Sequence, residues 1–346
     1  MRSDPADPTA DPLASPTAES RAASTAASTT AVTVVVVTYR GAAWLPECLS
    51  SLAAQTQPHH LLVIDNASTD GTSDILRERL RPDQVIRLPS NTGFAGGIAA
   101  ALPLVRTRFL ALLNDDAVAA PDWLAALITA AESDVDAAAW TSLMVLADDP
   151  ARVNNLGAAL NAHWYGVDAA ANCLVSDIGL SISDSFGFCG GAALLRTAAI
   201  RAVGGFPASY FLYYEDLETS WRLQLAGWAV RAVPSARVLH RHGASSDPRS
   251  TMFHFHNERN RLLTLLRCAP MTVAVVQLGR FGLTTLSLAA RRAGGRAAPD
   301  AANLQVPLRL HVLLAVVRLL PATLSARSSA RATDRRAVAR RARTVA

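Results

Sequence analysis

The run Val32-Thr33-Val34-Val35-Val36-Val37 decides how the rest of the chain is interpreted. It is apolar and β-branched at almost every position, which is typical of a strand covered on both faces. Three more apolar runs follow, at residues 61–64, 85–88 and 109–113. Segments with helical spacing lie between them, at residues 44–53, after the turn at 68–71 up to about residue 80, and at 96–105. This alternation with short connections predicts a parallel α/β sheet.

Acidic residues directly follow two of these predicted strands: Asp65 follows the second, and Asp115 and Asp116 follow the fourth. Ligands of such sheets bind at the carboxyl ends of the strands, and carboxylates there suit a divalent cation that in turn binds phosphates. A dinucleotide-binding domain would carry G-x-G-x-x-G after its first strand. The segment 38–43 contains one glycine, so a nicotinamide or flavin oxidoreductase is excluded.

The composition removes further classes of enzyme. All 33 residues of the Lys+Arg class are arginine. A P-loop nucleotidase, a protein kinase and a Schiff-base enzyme each need a lysine, so none of these chemistries can operate. Arginine binds anions but is a poor proton shuttle. Acid–base work therefore falls to Asp, Glu, His, Tyr or Cys.

Charge divides the chain into two unequal parts. Residues 1–258 hold 17 arginines and 26 acidic residues, net −9, whereas residues 259–346 hold 16 arginines and 2 acidic residues, net +14. A basic tail suits nucleic acid or an anionic membrane face, and a solvated disordered tail is the alternative. No aromatic residue follows Phe281, which argues against base stacking, so nucleic acid is not expected as a partner.

Two apolar runs in the basic part, at residues 271–290 and 308–320, are interrupted by arginines and fall short of the roughly 18–20 uninterrupted apolar residues of a spanning helix. They are predicted to be interfacial helices on an anionic leaflet.

Residues 1–30 contain almost no large apolar residue and are predicted to be disordered, with no signal peptide. The cysteines form no C-x-x-C pair and are expected to be reduced, as in a cytoplasmic protein. They are Cys48, Cys173, Cys189 and Cys268.

Ten short motif-like segments follow one another between about residues 31 and 260. They are residues 34–39, 63–71, 91–97, 112–116, 190–191, 204–207, 211–218, 222, 227–228 and 240–245. In this order they resemble the inverting family 2 glycosyltransferases of the GT-A fold, and most of all the rhamnosyltransferase-like branch. Each segment alone is a weak signal, but so many in the right order are a strong one.

The resemblance implies a GT-A domain at 31–258, a Rossmann-like mixed sheet flanked by helices. Residues 31–120 would form its nucleotide-sugar half and 121–258 its acceptor half. A basic helical extension, 259–346, would follow.

The resemblance also implies a metal site. Asp116 would hold Mg²⁺ or Mn²⁺, which offsets the negative charge of a nucleoside diphosphate leaving group, and Asp115 would face the ribose or the water shell of the metal. His240 is expected as a second ligand, with His242 as its competitor. The alternatives are solvated loop carboxylates and a buried, satisfied histidine. A zinc site that adds His254 and His256 would lack a cysteine or a suitably spaced acid.

For the donor, the resemblance implies that Asp65 hydrogen-bonds the nucleotide base, although Asp-Asn-Ala-Ser suits a turn equally well. Ile98 and Ala99 stand where the family usually has an Asn. Arg222 would either approach the diphosphate or pair with Glu218 one helical turn earlier. The full set of expected donor contacts is Thr38, Tyr39, Asp65, Asn66, Asn91, Gly93, Phe94, Asp115 and Arg222.

The pair Glu215-Asp216 is the predicted catalytic centre. An inverting transfer needs a base that takes the proton of the acceptor hydroxyl, and the resemblance assigns this role to Asp216. Nearby aromatic residues would raise the pKa of its carboxyl by desolvation or stack on a sugar. Acidic residues that complement a helix dipole are the alternative interpretation, and both can hold together.

The expected function is therefore inverting transfer of a sugar from a nucleoside-diphosphate donor to a hydroxyl of a glycan or polyprenyl-linked cell-envelope precursor. It would take place at the cytoplasmic face of the plasma membrane, with the enzyme peripherally bound. The subgroup resemblance favours dTDP-L-rhamnose, and UDP-hexose or galactofuranose donors remain alternatives. A catalytically silent sugar-binding homologue is a rival. A nucleotidyltransferase is another, but it commonly needs a Gly-rich loop and a lysine.

Overall fold

The computed structural model describes residues 30–241, 249–295, 301–329 and 334–344, so the predicted disordered segment 1–30 lies outside the described residues except for Thr30. The strands are β1 (Val32–Thr38), β2 (His60–Asp65), β3 (Val85–Arg87), β4 (Phe109–Leu113), β5 (Ala117–Ala119), β6 (Ala137–Leu146), β7 (Val153–Asn155), β8 (Ala158–Leu160), β9 (Gly166–Asp168), β10 (Ser183–Ser185), β11 (Ala192–Arg196) and β12 (Ala229–His240).

The α-helices are α1 (Leu45–Ala53), α2 (Thr72–Arg79), α3 (Gly93–Ala101), α4 (Trp123–Ser133), α5 (Thr197–Ala202), α6 (Glu215–Leu225), α7 (Thr251–Cys268), α8 (Met271–Ala293), α9 (Val306–Ser329) and α10 (Arg335–Thr344). Short 3₁₀ turns are found at Pro82–Gln84, Val175–Asp177, Ala208–Tyr210 and Ala302–Leu304.

The large sheet is mixed. Its order is β10-β12-β6-β11-β4-β1-β2-β3, with β5 added to β12 and β7 added to β6. The half from β4 to β3 is parallel, β11 is antiparallel to both β4 and β6, and β6 and β12 run parallel. Strands β8 and β9 form a separate antiparallel pair. The predicted mixed sheet with a parallel first half is confirmed.

The first strand shows why the valine run is continuous. Val32, Val34 and Val36 pack into a core that includes α1 and α4, whereas Val35 and Val37 pack into a second core with α3 and α5. A strand alternates its side chains between the two faces of a sheet, so both faces of β1 are covered and both must be apolar.

The third helix begins three residues before its predicted start. Gly93 opens it with a φ of +71°, and the side-chain oxygen of Asn91 accepts the Gly93 N–H at 2.8 Å. An Asn side chain that bonds the backbone two residues later is a turn interaction and not a helical one, which apolar spacing does not show.

The C-terminal helices share a core with residues 121–258, the segment predicted to be the acceptor half. The predicted boundary at 258/259 lies inside α7, which is continuous across it. Trp221 of α6, Leu262 of α7, Phe281 of α8 and Val312 of α9 belong to one buried cluster.

The predicted apolar runs are parts of the longer helices α8 and α9. By length and composition alone, Met271–Ala293 and Val306–Ser328 could each cross a membrane. Of an apolar 18-residue stretch in each helix, 28% and 22% respectively are buried in the protein.

A buried carboxylate joins α6 to α7. Glu218 is fully buried; its Oε2 lies 2.7 Å from an Arg222 nitrogen, and its Oε1 lies 2.8 Å from an Arg267 nitrogen. Two arginines from two helices therefore share one anion in the interior.

Replacing Glu218 with Gln keeps the side-chain shape but leaves both arginines without a counter-charge. We expect the free energy of unfolding to fall by about 3–5 kcal/mol, as measured by urea denaturation. The matched control is Asp74→Asn, which breaks an exposed ion pair with Arg77 and should cost less than about 1 kcal/mol. Equal losses in the two variants would contradict the structural role of Glu218.

Candidate active site

Side chains from two distant parts of the chain meet where β4 and β12 end. Asp116 follows β4, and its Oδ1 lies 3.1 Å from Nε2 of His240, the last residue of β12. Strand β5 pairs with β12, with Ala117 opposite His240. This pairing brings together two residues that are 124 positions apart in the sequence.

The second nitrogen of His240 fixes the orientation of the ring. Nδ1 lies 2.8 Å from Oδ1 of Asn154, an acceptor, so Nδ1 is assigned as the protonated nitrogen. Nε2 faces Asp116, with the Asn114 amide nitrogen 3.4 Å away. A neutral imidazole with a free Nε2 lone pair is the form that binds metals.

Asp115 points towards the end of β1. Burial and then the charge of Asp116 raise the pKa of Asp115 to about 6, although the nearby Thr38 hydroxyl and Tyr39 backbone oppose this. A Cβ at Gly41 would lie 2.4 Å from Asp115 Oδ2 and 2.3 Å from Thr38 Oγ1. A side chain at this position would displace the Thr38 hydroxyl or the Asp115 carboxyl, so Gly41 borders the site although sequence reasoning did not select it.

The predicted catalytic pair lies in the first turn of α6. Asp216 Oδ2 accepts the N–H of Gly190 at 2.9 Å, and Oδ1 accepts the N–H of Leu217 at 2.7 Å. Glu215 is 5% exposed, and its Oε2 has no hydrogen-bond partner among the described residues.

The two carboxyls therefore differ in how they ionise. Burial raises the pKa of Asp216, although the N–H groups of Gly190 and Leu217 oppose this. Burial and then the charge of Asp216 raise the pKa of Glu215 well above its usual range. Hydrogen bonds stabilise an ionised carboxylate, so Asp216 is the carboxyl of the pair that ionises more readily.

One cleft of about 480 Å³ contains both clusters. Asp116 and His240 line it together with Glu215 and Asp216. The remaining lining residues are Asn114, Met144, Asn154, Asn155, Ala158, Gly166, Val167, Asp168, Cys189, Tyr213, Tyr214, Leu217, Phe253 and Asn257. The structure thus brings together the predicted metal residues and the predicted catalytic residues. Asn154 and Asp168 were not predicted, because no local motif marks them.

The predicted donor residues form a neighbouring group of loops. Asn66 donates from Nδ2 to the Gly93 carbonyl at 2.9 Å and accepts the Thr92 N–H at 2.8 Å. The Phe94 ring and the Cβ of Asp216 flank Gly190, so the start of α3 borders the catalytic pair. Tyr39 is 42% exposed beyond the end of β1.

Asp65 and Arg222 both make the contacts predicted as alternatives to donor binding: Asp65 stabilises a turn, and Arg222 pairs with Glu218. Asp65 accepts the Ser68 N–H and the Ser73 hydroxyl, each at 2.8 Å, and pairs with Arg87, so it organises a turn. The Arg222 guanidinium is buried on Glu218 and also donates to the carbonyl oxygen of Gly205 at 2.6 Å. Arg222 therefore pairs within its own helix, and its donors are used inside the protein.

Two family models match the chain. "Glycosyl transferase family 2" covers residues 33–165, and "Glycosyl transferase family group 2" covers residues 109–261, so that together they contain the cleft and both clusters. The chain belongs to the family 2 glycosyltransferases.

Known proteins similar to this glycosyltransferase agree with that assignment. The N-acetylglucosaminyl-diphospho-decaprenol L-rhamnosyltransferase of Mycobacterium tuberculosis is 27% identical over 250 residues, which are 64% of this chain and 80% of the relative. The predicted resemblance to rhamnosyltransferases is thereby confirmed.

Two solved structures share the fold. GalNAc-T7 with UDP, GalNAc and Mn²⁺ superposes with a TM-score of 0.56 at 15% identity, covering 69% of this chain and 48% of that one, so the match spans about half of its length. The mannosyltransferase PcManGT from Pyrobaculum calidifontis in complex with GDP-Man and Mn²⁺ gives 0.51 at 19% identity, covering 87% and 86%. The predicted GT-A fold is confirmed.

The remaining histidines of this glycosyltransferase do not complete a zinc site in the described residues. His242 lies outside them, and no group of three His, Cys, Asp or Glu side chains gathers within them. His256 stacks on Phe211 with ring centroids 5.1 Å apart, and burial and then the charge of Arg259 lower the pKa of His256 to about 4. The zinc alternative has no support in this part of the chain.

Proposed function

We propose that the enzyme transfers a sugar from a nucleoside-diphosphate donor to an acceptor hydroxyl with inversion at the anomeric carbon. The observation that carries this proposal is the shared cleft. Asp216 lines the same cleft as Asp116 and His240, so a base for the acceptor and a cation-binding pair face one space.

Asp116 and His240 have the chemistry to hold Mg²⁺ or Mn²⁺. Their facing atoms are 3.1 Å apart, which matches the separation of ~3 Å between adjacent ligands at about 2.1 Å from an octahedral ion. The two structural neighbours carry Mn²⁺ in their crystals. When bound, such an ion neutralises charge on the leaving diphosphate.

The chain's own groups would handle the acceptor proton. Asp216 would take it from the attacking hydroxyl, since it is the more readily ionised carboxyl of the pair and is held in place by two backbone N–H groups. Glu215, whose pKa is raised further, would keep a second negative charge away from the base when it is protonated. Asp168 and Tyr213 line the same cleft, where the acceptor would bind.

The donor would bind across the loops beside the cleft. We assign its contacts to the exposed Tyr39 and Thr38 at the end of β1, to Asp115 after β4, and to the segment from Asn91 to Phe94 at the start of α3. A helix N-terminus presents N–H groups that favour a diphosphate. Asp65 and Asn66, whose side chains bond other residues inside the protein, would shape the neighbouring turn and the start of α3 instead of contacting the nucleotide.

The rhamnosyltransferase relative supports the finer specificity. Its name describes L-rhamnose transfer to N-acetylglucosaminyl-diphospho-decaprenol, so we propose dTDP-L-rhamnose as the donor and a polyprenyl-linked envelope precursor as the acceptor. UDP-hexose and UDP-galactofuranose serve as comparison donors in the experiment below.

We also propose that α8 and α9 dock on the anionic inner leaflet of the plasma membrane. Leu283 and Leu286 of α8 are 69% and 68% exposed, and Val317 of α9 is 62% exposed. The segment from residue 259 onward has net charge +14. Exposed apolar residues beside arginines are typical of interfacial helices.

Replacing Asp216 with Asn should lower kcat for sugar transfer by about 10²–10⁴, with little change in KM for the donor. Only the carboxylate accepts a proton, so the wild-type rate should fall as pH decreases through the raised pKa of Asp216. The assay measures sugar transfer from dTDP-L-rhamnose, UDP-hexose and UDP-galactofuranose in the presence of Mn²⁺. Asp122→Asn, an exposed acid before α4, should behave like the wild type. An active Asp216→Asn enzyme would refute the base, and no transfer or hydrolysis with any donor would indicate a silent homologue.

Replacing His240 with Ala or Asp116 with Asn should abolish tight Mn²⁺ binding, measured by calorimetry without donor. Asn154→Ala should weaken binding by about 10–100-fold, because Asn154 fixes the His240 tautomer. His163→Ala, at an exposed histidine, is the control. Unchanged Mn²⁺ affinity in His240→Ala would remove His240 from the metal site.

The double variant Leu283→Asp and Leu286→Asp should lose binding to phosphatidylglycerol vesicles in a sedimentation assay. Wild-type binding should weaken with added salt and be lower on phosphatidylcholine. Leu104→Asp makes the same change at an exposed leucine in the nucleotide-sugar half and should bind normally. If the double variant sediments like the wild type, these helices do not form the membrane contact.

A further inference from the structure

The segment 210–214, which leads into the catalytic helix α6, has an unusual backbone. φ is +67° at Phe211 and +69° at both Tyr213 and Tyr214. Non-glycine residues rarely adopt this left-handed region, and each such residue costs conformational free energy. Such a conformation persists only when contacts with the rest of the protein hold it. Asp216 lies two residues after the last of these positions.

A single side chain from α7 makes most of those contacts. Asn260 is fully buried, and its Nδ2 lies 3.0 Å from the carbonyl oxygen of Tyr210 and 2.8 Å from those of Leu212 and Tyr213. Its Oδ1 accepts a hydrogen bond from the Arg259 guanidinium at 2.9 Å, which orients the amide so that the NH₂ group faces the segment.

The other carbonyls of the segment are also accounted for. Arg259 donates to the carbonyl of Ser209 at 3.0 Å and to that of Tyr210 at 2.7 Å. The Phe211 carbonyl accepts the N–H of Ala95 at 3.1 Å, in the first turn of α3. The segment is thus bonded to α3, which borders the donor loops, and to α7.

We propose that Asn260 is a positioning residue for the reaction. It holds the left-handed segment 210–214 and thereby fixes the place from which α6 starts and Asp216 reaches the cleft. The inference rests on the proposed role of Asp216 as the base. It makes α7 part of the catalytic architecture, although Asn260 itself does not line the cleft. A misplacement of about 1 Å in a reacting group can cost about 10²-fold in rate.

The experiment compares Asn260→Ala with Thr264→Val in the full chain. Thr264 lies one turn further along α7, is equally buried, and its hydroxyl is 3.1 Å from Tyr210 Oη, so its loss affects a side chain and not the carbonyls of the segment. Asn260→Ala should lower kcat by about 10–100-fold with an unchanged donor KM, and Thr264→Val should keep kcat within about twofold. Equal kcat values in the two variants would overturn the proposal.

Repeating the Asn260→Ala substitution in a Phe211→Gly enzyme separates positioning from general destabilisation. Glycine adopts positive φ at no steric cost, so Phe211→Gly relieves part of the strain that Asn260 holds. In this background Asn260→Ala should cost at least about threefold less in kcat than in the wild type, whereas a merely structural loss would be the same in both.

Amide hydrogen exchange tests the positioning without any donor. Exchange in residues 210–218 should be faster in Asn260→Ala than in Thr264→Val, with β4 unchanged in both. Identical exchange there would refute the positioning role whether or not the enzyme is active. Faster exchange in an Asn260→Ala enzyme without loss of transfer would refute the link to Asp216.

Discussion

The arrangement of the acceptor half depends on one buried anion. Glu218 has no contact with solvent, so its charge is tolerated only because Arg222 of α6 and Arg267 of α7 both bind it. Arg222 also donates to the carbonyl oxygens of Val203 and Gly205, which ties α6 to the turn after α5. The helix that carries Asp216 is therefore fixed on two sides by one ion-pair network.

The basic C-terminal part contributes arginines to the core as well as to the surface. Arg267 binds Glu218, and several other arginines also make structural contacts. Arg261 is buried against Glu258 at 2.9 Å. Arg327 and Arg335 donate to carbonyl oxygens at the end of α7, including those of Ala269 and Cys268, where cations complement the helix dipole. Only the remainder of the +14 is available to a membrane surface. Arginine suits these positions because its planar fork presents five N–H donors in a fixed arrangement, whereas lysine presents three on a flexible stem.

The sequence predicted the local elements and the strand-end acids well, because apolar periodicity reports burial on each face of an element. It placed Asp116 and His240 in one site only through the family resemblance, since their contact depends on the pairing of β5 with β12. Asn154 and Asn260 escaped notice for the same reason: each acts through hydrogen bonds to residues about 50 to 90 positions away, and no local pattern encodes such contacts.

The adjacent acids of α6 show how backbone geometry can separate two similar groups. Both lie in the first turn of a helix, where the dipole favours negative charge, and burial opposes ionisation of both. Asp216 points at the N–H groups of Gly190 and Leu217, whereas Glu215 Oε2 meets no donor among the described residues. The helix begins directly after Tyr214, which has a positive φ. Because segment 210–214 leads into this first turn, the contacts of Asn260 with the segment bear on where both carboxyls are placed.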